Sequence, residues 1–193
     1  MNTISFENIL NTEYISVMRK WRNQDFVRRN MTNQDIISEE EHIKYIQMLK
    51  EESDVRKVYV ALKNNVIPFA VVNFIINRQE HYIEPGMYII NKDFLGKGYG
   101  QIVSYARLEY IFKIMPDGEM RTTILASNNR NIALQTQFGA IEHHKTKVID
   151  GNGIMREASV LYLNKAMWEE KKVQIRSKIV RKFNSIKICE IPY

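Results

Sequence analysis

Three of the eight glycines of this chain fall at every second position of one short stretch, FLGKGYGQ at residues 94–101. Glycine weakens both helices and strands, so such a cluster indicates unusual backbone angles or a backbone that a ligand approaches closely. An apolar run at residues 86–90 precedes the stretch, and a segment with helical apolar spacing follows at 101–114. The chain is therefore expected to pass from a strand through a glycine turn into a helix.

A phosphate is the ligand that this turn favours. The first backbone N–H groups of a helix have no intrahelical partner and carry the positive end of the helix dipole. Because Gly96, Gly98 and Gly100 have no Cβ, a phosphate can come within hydrogen-bonding distance of these amides. Lys97 can add positive charge at the rim. On this stretch alone, a glycine-rich turn without a ligand is the alternative.

Spacing excludes two familiar phosphate-binding motifs. A Walker loop needs a Lys-Ser/Thr pair after its last glycine, and here Tyr99, Gly100 and Gln101 stand in the way. A dinucleotide fingerprint needs its third glycine three residues beyond the second, in a parallel unit near the chain start. The present stretch lies mid-chain, after two runs that Asn64 and Asn65 join as a hairpin.

The order of predicted elements indicates an α/β fold, a mixed and mostly antiparallel central sheet with helices on both faces. The capping-box pattern of Ser38 and Glu41 announces the second helix. The predicted segments are a helix at 12–22, the helix after Ser38, a hairpin of 58–63 and 69–76, a strand at 86–90, a helix at 101–114, a strand at 121–126, a helix at 131–138, and a hairpin of 141–149 and 154–163 around DGNG at 150–153.

The positive charge is concentrated in a C-terminal tail. The formal net charge is +6, and residues 165–193 carry eight Lys/Arg against three Asp/Glu. We therefore expect a main domain at 1–165 and a basic amphipathic helical extension at 166–193, and no nucleic-acid partner. Packing of the apolar stripe on the domain, or on a second subunit in a homodimer, is favoured over a membrane surface or an acidic partner. The stripe consists of Trp168, Ile175, Ile179, Phe183 and Ile186.

Other features limit the location and the metal chemistry. The N-terminus has no secretory pattern, and the longest uncharged stretch, residues 64–77, is too short to span a bilayer. With Cys189 as the single cysteine, no intramolecular disulfide can form, which fits the cytoplasm. His143 and His144 are adjacent on a strand and should point to opposite faces, so no metal site is expected.

The element order, with LGKGYG between a mid-chain strand and a helix, resembles the GNAT acetyltransferases over roughly residues 5–168. This family binds acetyl-CoA with its pyrophosphate on that turn, in a pattern whose positions fall on Leu95, Gly98 and Gly100, and Leu95 departs from it. The resemblance implies a GNAT fold with acetyl-CoA as cosubstrate. The residues expected to bind the cofactor are Met87, Tyr88, Ile89, Ile90, Leu95, Gly96, Lys97, Gly98, Tyr99, Gly100, Gln101 and Asn128.

Further stretches resemble the sugar-nucleotide N-acetyltransferases of the pseudaminic acid pathway. These are WRN at 21–23 with a following Met31, the EEH helix, and EPGMYI at 84–89. This implies the amino group of a nucleotide-linked amino sugar as acceptor. NNRNIALQTQFGA at 128–140 and the final YLNKAMW also resemble the ribosomal-protein-type N-terminal acetyltransferases, so a protein N-terminus is the second expectation.

The acceptor side is expected to include Trp21, Arg22 and Met31. Arg22 is suited to meet a substrate phosphate bidentately, although it could equally cap the C-terminus of its helix. For Trp21 and Met31 the alternative is a plain core position.

Acetyl transfer to an amine requires a group that accepts the amine proton. His42 and Glu84 are the best candidates for this base. The alternatives are a buried histidine bonded to a backbone carbonyl and an exposed carboxylate at a strand end. Where many relatives carry a tyrosine that protonates the leaving thiolate, this chain has Gln135. That departure leaves a third expectation, a catalytically weak CoA-binding interaction protein.

Overall fold

The computed structural model describes residues 2–150 and 152–192. Met1, Tyr193 and Gly151 of the DGNG turn lie outside the described residues. The chain forms β1 Asn2–Asn8, α1 Met18–Arg22, α2 Asp25–Arg28, α3 Glu39–Glu51, β2 Arg56–Lys63, β3 Ile67–Asn77, β4 Tyr82–Ile89, α4 Tyr99–Ile114, β5 Glu119–Leu125, α5 Asn129–Gln137, β6 Ile141–Ile149, β7 Met155–Asn164, α6 Lys165–Phe183 and β8 Ile186–Ile188.

These strands form one sheet in the order β6-β7-β5-β4-β3-β2-β1-β8. All neighbouring strands are antiparallel except β4 with β5 and β1 with β8, which are parallel. The β4–β5 pairing consists of Tyr82 with Glu119 and Ile83 with Met120. Within the described residues the two strands pair nowhere else, so an opening lies between their carboxyl ends.

Side chains of the central strands alternate between two cores. On β2, Tyr59 and Ala61 belong to the core that includes α4 and α6, whereas Val60 and Leu62 belong to the core that includes α1 and α3. This period of two places helices on both faces of the sheet. The predicted fold class is therefore confirmed, with a mixed and mostly antiparallel sheet.

The helix predicted over residues 12–22 is wrong in its first half. Residues Glu13–Ser16 form a separate 3₁₀ turn, and α1 begins at Met18. In that turn the Ser16 hydroxyl donates to the carbonyl of Glu13 at 2.8 Å, a local bond that competes with helical pairing. The sequence prediction also missed β1 and β8.

Helix α6 lies along α4 and is part of the main core. Trp168, Ile175 and Ile179 are buried there. Trp168 stacks on Phe138 with ring centroids 5.8 Å apart, and its Nε1 donates to Glu109 at 2.8 Å. The apolar stripe of the predicted tail thus packs on its own chain. The boundary at residue 165 and a homodimer through this helix stay predictions.

Ile186 was expected to continue the helical stripe, and this was wrong. The helix ends at Phe183, and Asn184 adopts a left-handed conformation with φ of 47°. Ile186 then pairs with Asn2 in the sheet. A left-handed residue after the last turn is a common way to end a helix and turn the chain away.

Trp168→Ala tests whether α6 is required for the stability of the domain. The free energy of unfolding should fall by about 3–5 kcal/mol, because a fully buried indole leaves a cavity. Val173→Ala on the same helix is the control, since Val173 is 75% exposed and its change should stay within about 0.5 kcal/mol. If denaturant melts showed equally small changes in the free energy of unfolding for both variants, α6 would not contribute to the stability of the domain.

Candidate active site

The glycine turn has the geometry of an anion-binding site. Gly96 and Gly98 have φ of 75° and 96°, and Gly98 is the N-cap of α4. The amides of residues 96–100 donate no backbone hydrogen bond within the described part of the chain. They therefore stand free at the positive end of a 16-residue helix.

Two cations that the sequence analysis did not identify lie beside this turn. A Cβ built on Gly98 would be 2.9 Å from Nζ of Lys182, near the end of α6. A Cβ built on Gly96 would be 3.6 Å from the Arg130 guanidinium on α5. Both residues reach the turn through tertiary packing, so their spacing in sequence gives no direct signal. For Lys182, the concentration of positive charge in the C-terminal tail was the only sequence feature that pointed to a functional cation.

Among the residues expected to bind cofactor, the aromatic ring of Tyr99 has a structural role. Tyr99 is buried and contacts Phe94 and Phe183, with centroids 4.6 and 5.1 Å apart. Its backbone amide, rather than its ring, is thus the group available to a ligand. The Gln101 side chain donates to Gln137 at 3.2 Å, which links α4 to α5. Leu95 and Lys97 lie exposed on the turn.

Strand β4 forms one wall of the opening. Met87 and Ile89 pack against the core that contains α4, and Tyr88 and Ile90 against the opposite core. From Glu84 onward, β4 pairs with β3 and has no partner on the β5 side among the described residues. Its free edge is therefore open to hydrogen bonding by a ligand.

Helix α4 forms the roof of the opening with three residues on one face. A Cβ on Gly100 would be 3.9 Å from both Met87 and Leu134, and the Ser104 hydroxyl lies 3.6 Å from the Met87 sulfur. Arg107 follows on the same face and donates from Nη2 to Oε1 of Gln135 at 3.0 Å. These positions follow the i, i+4, i+7 spacing of a helix face.

Gln135, at the position of the expected tyrosine, is buried and makes a hydrogen bond through each end of its carboxamide. Besides accepting from Arg107, it donates through Nε2 to Asn131 at 3.1 Å. A carboxamide has no acidic proton to give to a thiolate at neutral pH. A proton for a leaving thiolate must therefore come from another group.

On the face of the sheet opposite α4, Arg22 of α1 lies near Tyr88 of β4. Burial lowers the pKa of Arg22 and raises the pKa of Tyr88. Arg22 donates from Nη2 to the carbonyl of Asn33 at 2.6 Å, and its buried Nη1 has no partner among the described residues. Trp21 packs on Tyr14, with centroids 5.7 Å apart, at the edge of the second core.

A cavity of about 600 Å³ lies between α2 with its following loop and the turn region of β6 and β7. The Gln24 side chain donates to the carbonyl of Ile90 at 3.0 Å, and Asn128 donates to the carbonyl of Asn30 at 3.4 Å. These contacts hold the loop against the open ends of β4 and β5. The cavity is lined by Asp25, Arg28, Arg29, Gln34, Asp35, Ile36, Asp150, Asn152, Ile154 and Arg156.

The expected acceptor residues Trp21, Arg22 and Met31 are not among the residues that line this cavity. The side chain of Asn128 caps α5 by accepting from the Asn131 amide at 3.2 Å, and its cofactor contact stays a prediction. The cavity residues were missed because the loop and the hairpin meet only in the folded chain. In the sequence, no pattern distinguished these arginines and aspartates from ordinary solvent-exposed charges.

The two base candidates lie in different settings. His42 is buried, and its Nε2 is 3.2 Å from the carbonyl oxygen of Ile15, which fastens α3 to the 3₁₀ turn. Glu84 is half-buried on β4, directly after the last residue that pairs with β5. Burial raises its pKa, and the charge of Arg56 opposes that shift. Glu84 is thus the candidate that lies at the apex of the opening.

The expectation that His143 and His144 point to opposite faces was wrong. Their Nδ1 atoms are 2.7 Å apart, because a register shift in β6 between Glu142 and His144 breaks the alternation. Across the described ranges, no set of three or more His, Cys, Asp or Glu side chains is grouped to hold a metal ion. No helix of those ranges is long and apolar enough to cross a membrane.

No family model matches the chain. The acetyltransferase PseH of Campylobacter jejuni is 27% identical over 128 residues, 66% of this chain and 77% of PseH. The crystal structure of PseH superposes with a TM-score of 0.60 at 20% identity, covering 84% of this chain and 98% of PseH. The spermidine N-acetyltransferase of Vibrio cholerae, solved with CoA and spermine, gives 0.73 at 14% identity, covering 86% and 97%.

The expected resemblance is thereby confirmed, and the chain has the fold of the GNAT N-acetyltransferases. Relatives in sequence and in fold are named acetyltransferases, which supports an N-acetyltransferase enzyme.

Gly98→Ala tests the anion-binding turn. A Cβ at φ of 96° is strained by about 1–2 kcal/mol and meets Lys182, so affinity for inorganic pyrophosphate should fall about tenfold or more. Gly153→Ala is the matched control, with φ of 76° and no atom within 4 Å of the new Cβ. If calorimetry gave the same pyrophosphate affinity for both variants, the assignment of the turn as the anion-binding site would be contradicted.

Proposed function

We propose that this protein transfers an acetyl group from acetyl-CoA to a primary amine by direct attack within a ternary complex. The observation that carries the proposal is the opening between β4 and β5 together with the unpaired amides of residues 96–100, which the proximity of Gly100 to Met87 of β4 brings near each other. The unpaired amides fit a phosphate group, and the free edge of β4 fits an extended chain that contains amides. Sequence similarity to PseH and the GNAT fold support the same reaction.

The pyrophosphate of the cofactor would accept hydrogen bonds from the glycine turn, with Lys182 and Arg130 contributing positive charge. The pantetheine would then run along the free edge of β4, from Ile90 toward Glu84, and take up the hydrogen bonds that β5 does not make. Backbone N–H groups of that edge would polarise the thioester oxygen as charge develops on it.

Glu84 is proposed as the base that removes the amine proton, directly or through a water. A carboxylate with a raised pKa accepts a proton more readily than an ordinary one, and Glu84 lies at the apex of the opening. His42 remains the second candidate, although its Nε2 is occupied by the Ile15 carbonyl.

The acceptor is proposed to be the amino group of a nucleotide-linked amino sugar, bound in the cavity beside α2. Arg29 is exposed there, and no carboxylate lies within ion-pair range of it among the described residues. By contrast, Arg28 is paired with Asp25 at 2.6 Å and Arg156 with Asp150 at 3.0 Å. Arg29 is therefore the cavity arginine best able to bind a diphosphate.

A protein N-terminus is the second candidate, because the same cavity has a carboxylate suited to an α-amine. Asp35 has no arginine partner among the described residues, and its contact is with the Asn152 side chain. The cavity thus contains charges of both signs, which suit a sugar nucleotide and a protein N-terminus alike. The size of the acceptor that is turned over distinguishes these two candidates.

Acetyl-CoA consumption should be followed against UDP- and dTDP-linked amino sugars, spermidine and a ribosomal N-terminal peptide in one plate. Turnover of a sugar nucleotide is the expected result. Turnover of the peptide or spermidine alone would keep the enzyme class and overturn the substrate. Tight acetyl-CoA binding without any turnover would favour the catalytically weak interaction protein.

Glu84→Gln should lower kcat/KM by about 10²–10⁴-fold, and His42→Gln by less than about tenfold. In the wild-type enzyme kcat/KM should fall as the pH falls through the raised pKa of Glu84, and the Gln variant should lose this limb. A pH–rate profile of the Glu84 variant with the limb intact and a loss under tenfold would remove Glu84 as the base.

The same carboxyl group makes a separate prediction for stability. Because burial raises its pKa, its contribution to stability is complete below the unfolded-state pKa and is lost as the pH rises through the folded-state value. Glu84→Gln should therefore melt at a higher temperature than wild type above that range and at a similar one below it. Thermal melts across pH that showed the opposite order would contradict the burial.

Arg29→Gln should raise KM for the sugar nucleotide about tenfold or more and leave kcat nearly unchanged, because it removes a binding charge remote from the reacting atoms. Arg78→Gln, an exposed arginine in the β3–β4 turn, is the control and should match wild type. If steady-state kinetics of the two variants coincide, the diphosphate is bound elsewhere.

A further inference from the structure

Arg107 is a buried cation that none of the roles assigned so far uses. It lies in the middle of α4 and is 2% exposed. Its Nη2 donates to the neutral carboxamide of Gln135, and its buried Nε has no hydrogen-bond partner in the described part of the chain. No carboxylate within those residues forms an ion pair with it.

A guanidinium in this setting is costly, because a charge removed from water is normally paired or bound to several acceptors. Burial alone lowers the pKa of Arg107 to about 10, so the group still carries its charge at neutral pH. Neighbouring charges of the same helix, Glu109 and Lys113, are engaged with Lys172 and Glu190. Within the described residues, the buried positive charge of Arg107 therefore has no anionic partner.

The position of Arg107 indicates where that anion would lie. Gly100, Ser104 and Arg107 form one face of α4, which looks toward Met87 of β4 and toward α5. The rise of a helix places Arg107 about 10 Å deeper than Gly100 at the anion-binding turn. Arg107 thus continues the face of α4 that contacts Met87 of β4 through Gly100 and Ser104, and its guanidinium lies against Gln135 of α5.

We propose that Arg107 is a catalytic residue that stabilises the thiolate of CoA as it leaves. This rests on the proposed acetyl transfer. The amine nitrogen forms a bond to the thioester carbonyl carbon, the amine proton goes to Glu84 or water, the C–S bond breaks, and its electron pair stays on sulfur. The guanidinium offers its free Nε–H to that sulfur, and the thiolate takes a proton from solvent after release.

Gln135 is a positioning residue in this scheme. Its Oε1 accepts from Nη2 of Arg107 while its Nε2 donates to Asn131, so the carboxamide fixes the orientation of the guanidinium. Instead of a tyrosine that donates a proton to the leaving thiolate, the chain would use the positive charge of Arg107, which stabilises the thiolate without transferring a proton. Electrostatic stabilisation by a preorganised group of this kind typically contributes about 10²–10³ in kcat.

The direct test is the pKa of the thiol of bound CoA, measured from the ultraviolet absorbance of the thiolate in the binary complex across pH. In the wild-type protein it should lie below the value of free CoA, because a nearby cation favours the thiolate. Arg107→Met should bring it to or above the free value, and Arg107→Lys should retain part of the depression. Arg176→Met, an exposed arginine over Tyr105, is the control and should leave it unchanged.

Kinetics and melting distinguish catalysis from a structural role. Arg107→Met should lower kcat about 10²-fold or more without a lower melting temperature, since replacing a buried unpaired cation by an apolar chain of similar length is often neutral or stabilising. An unchanged thiol pKa in the methionine variant, or full kcat, would overturn the role of Arg107 alone. Failure of the wild-type protein to bind CoA in calorimetry would overturn the proposed function as well.

Discussion

The structure depends on the early separation of two parallel strands. β4 and β5 pair at Tyr82 with Glu119 and at Ile83 with Met120, and then part. A buried strand edge without hydrogen bonds is unfavourable, so we expect the edge of β4 beyond Ile83 to bind water or a polar ligand. A short 3₁₀ turn, Lys92–Phe94, and then the glycine turn follow the open end of β4, so the proposed phosphate site comes soon after the free strand edge in the chain.

Charge is distributed along the proposed path of the cofactor in the order of the proposed reaction. Lys182 and Arg130 lie at the glycine turn, Arg107 further along the face of α4 that begins at Gly100, and Glu84 at the apex. In the proposed complex, each cation would face a point where the cofactor carries or develops negative charge, and the carboxylate would lie where a proton is released. Lys182 and Arg130 are exposed, whereas Arg107 is buried and Glu84 half-buried. Around the last two, a low dielectric makes a charge effective and also costly, which is why their positions are informative.

The sequence predicted the architecture well because the signals are local. Periodicity located the central strands and α3 to α5, and the glycines identified the turn. β1 and β8 were missed, since β8 is a three-residue strand that pairing with β1 defines. The cavity beside α2, Lys182 and Arg130 depend on segments distant in sequence. Arg107 did leave a sequence signal, because α4 is apolar on nearly every face and an arginine inside such a helix is expected to be buried.

Binding of CoA in the opening between β4 and β5 is tested most directly by a crystal structure of the protein with CoA. We expect pyrophosphate oxygens about 2.7–3.2 Å from the amides of residues 96–100, pantetheine along the free edge of β4, and the sulfur beside the Arg107 guanidinium. A pyrophosphate bound away from the glycine turn, or β4 and β5 paired along their full length with the cofactor outside, would contradict this expectation.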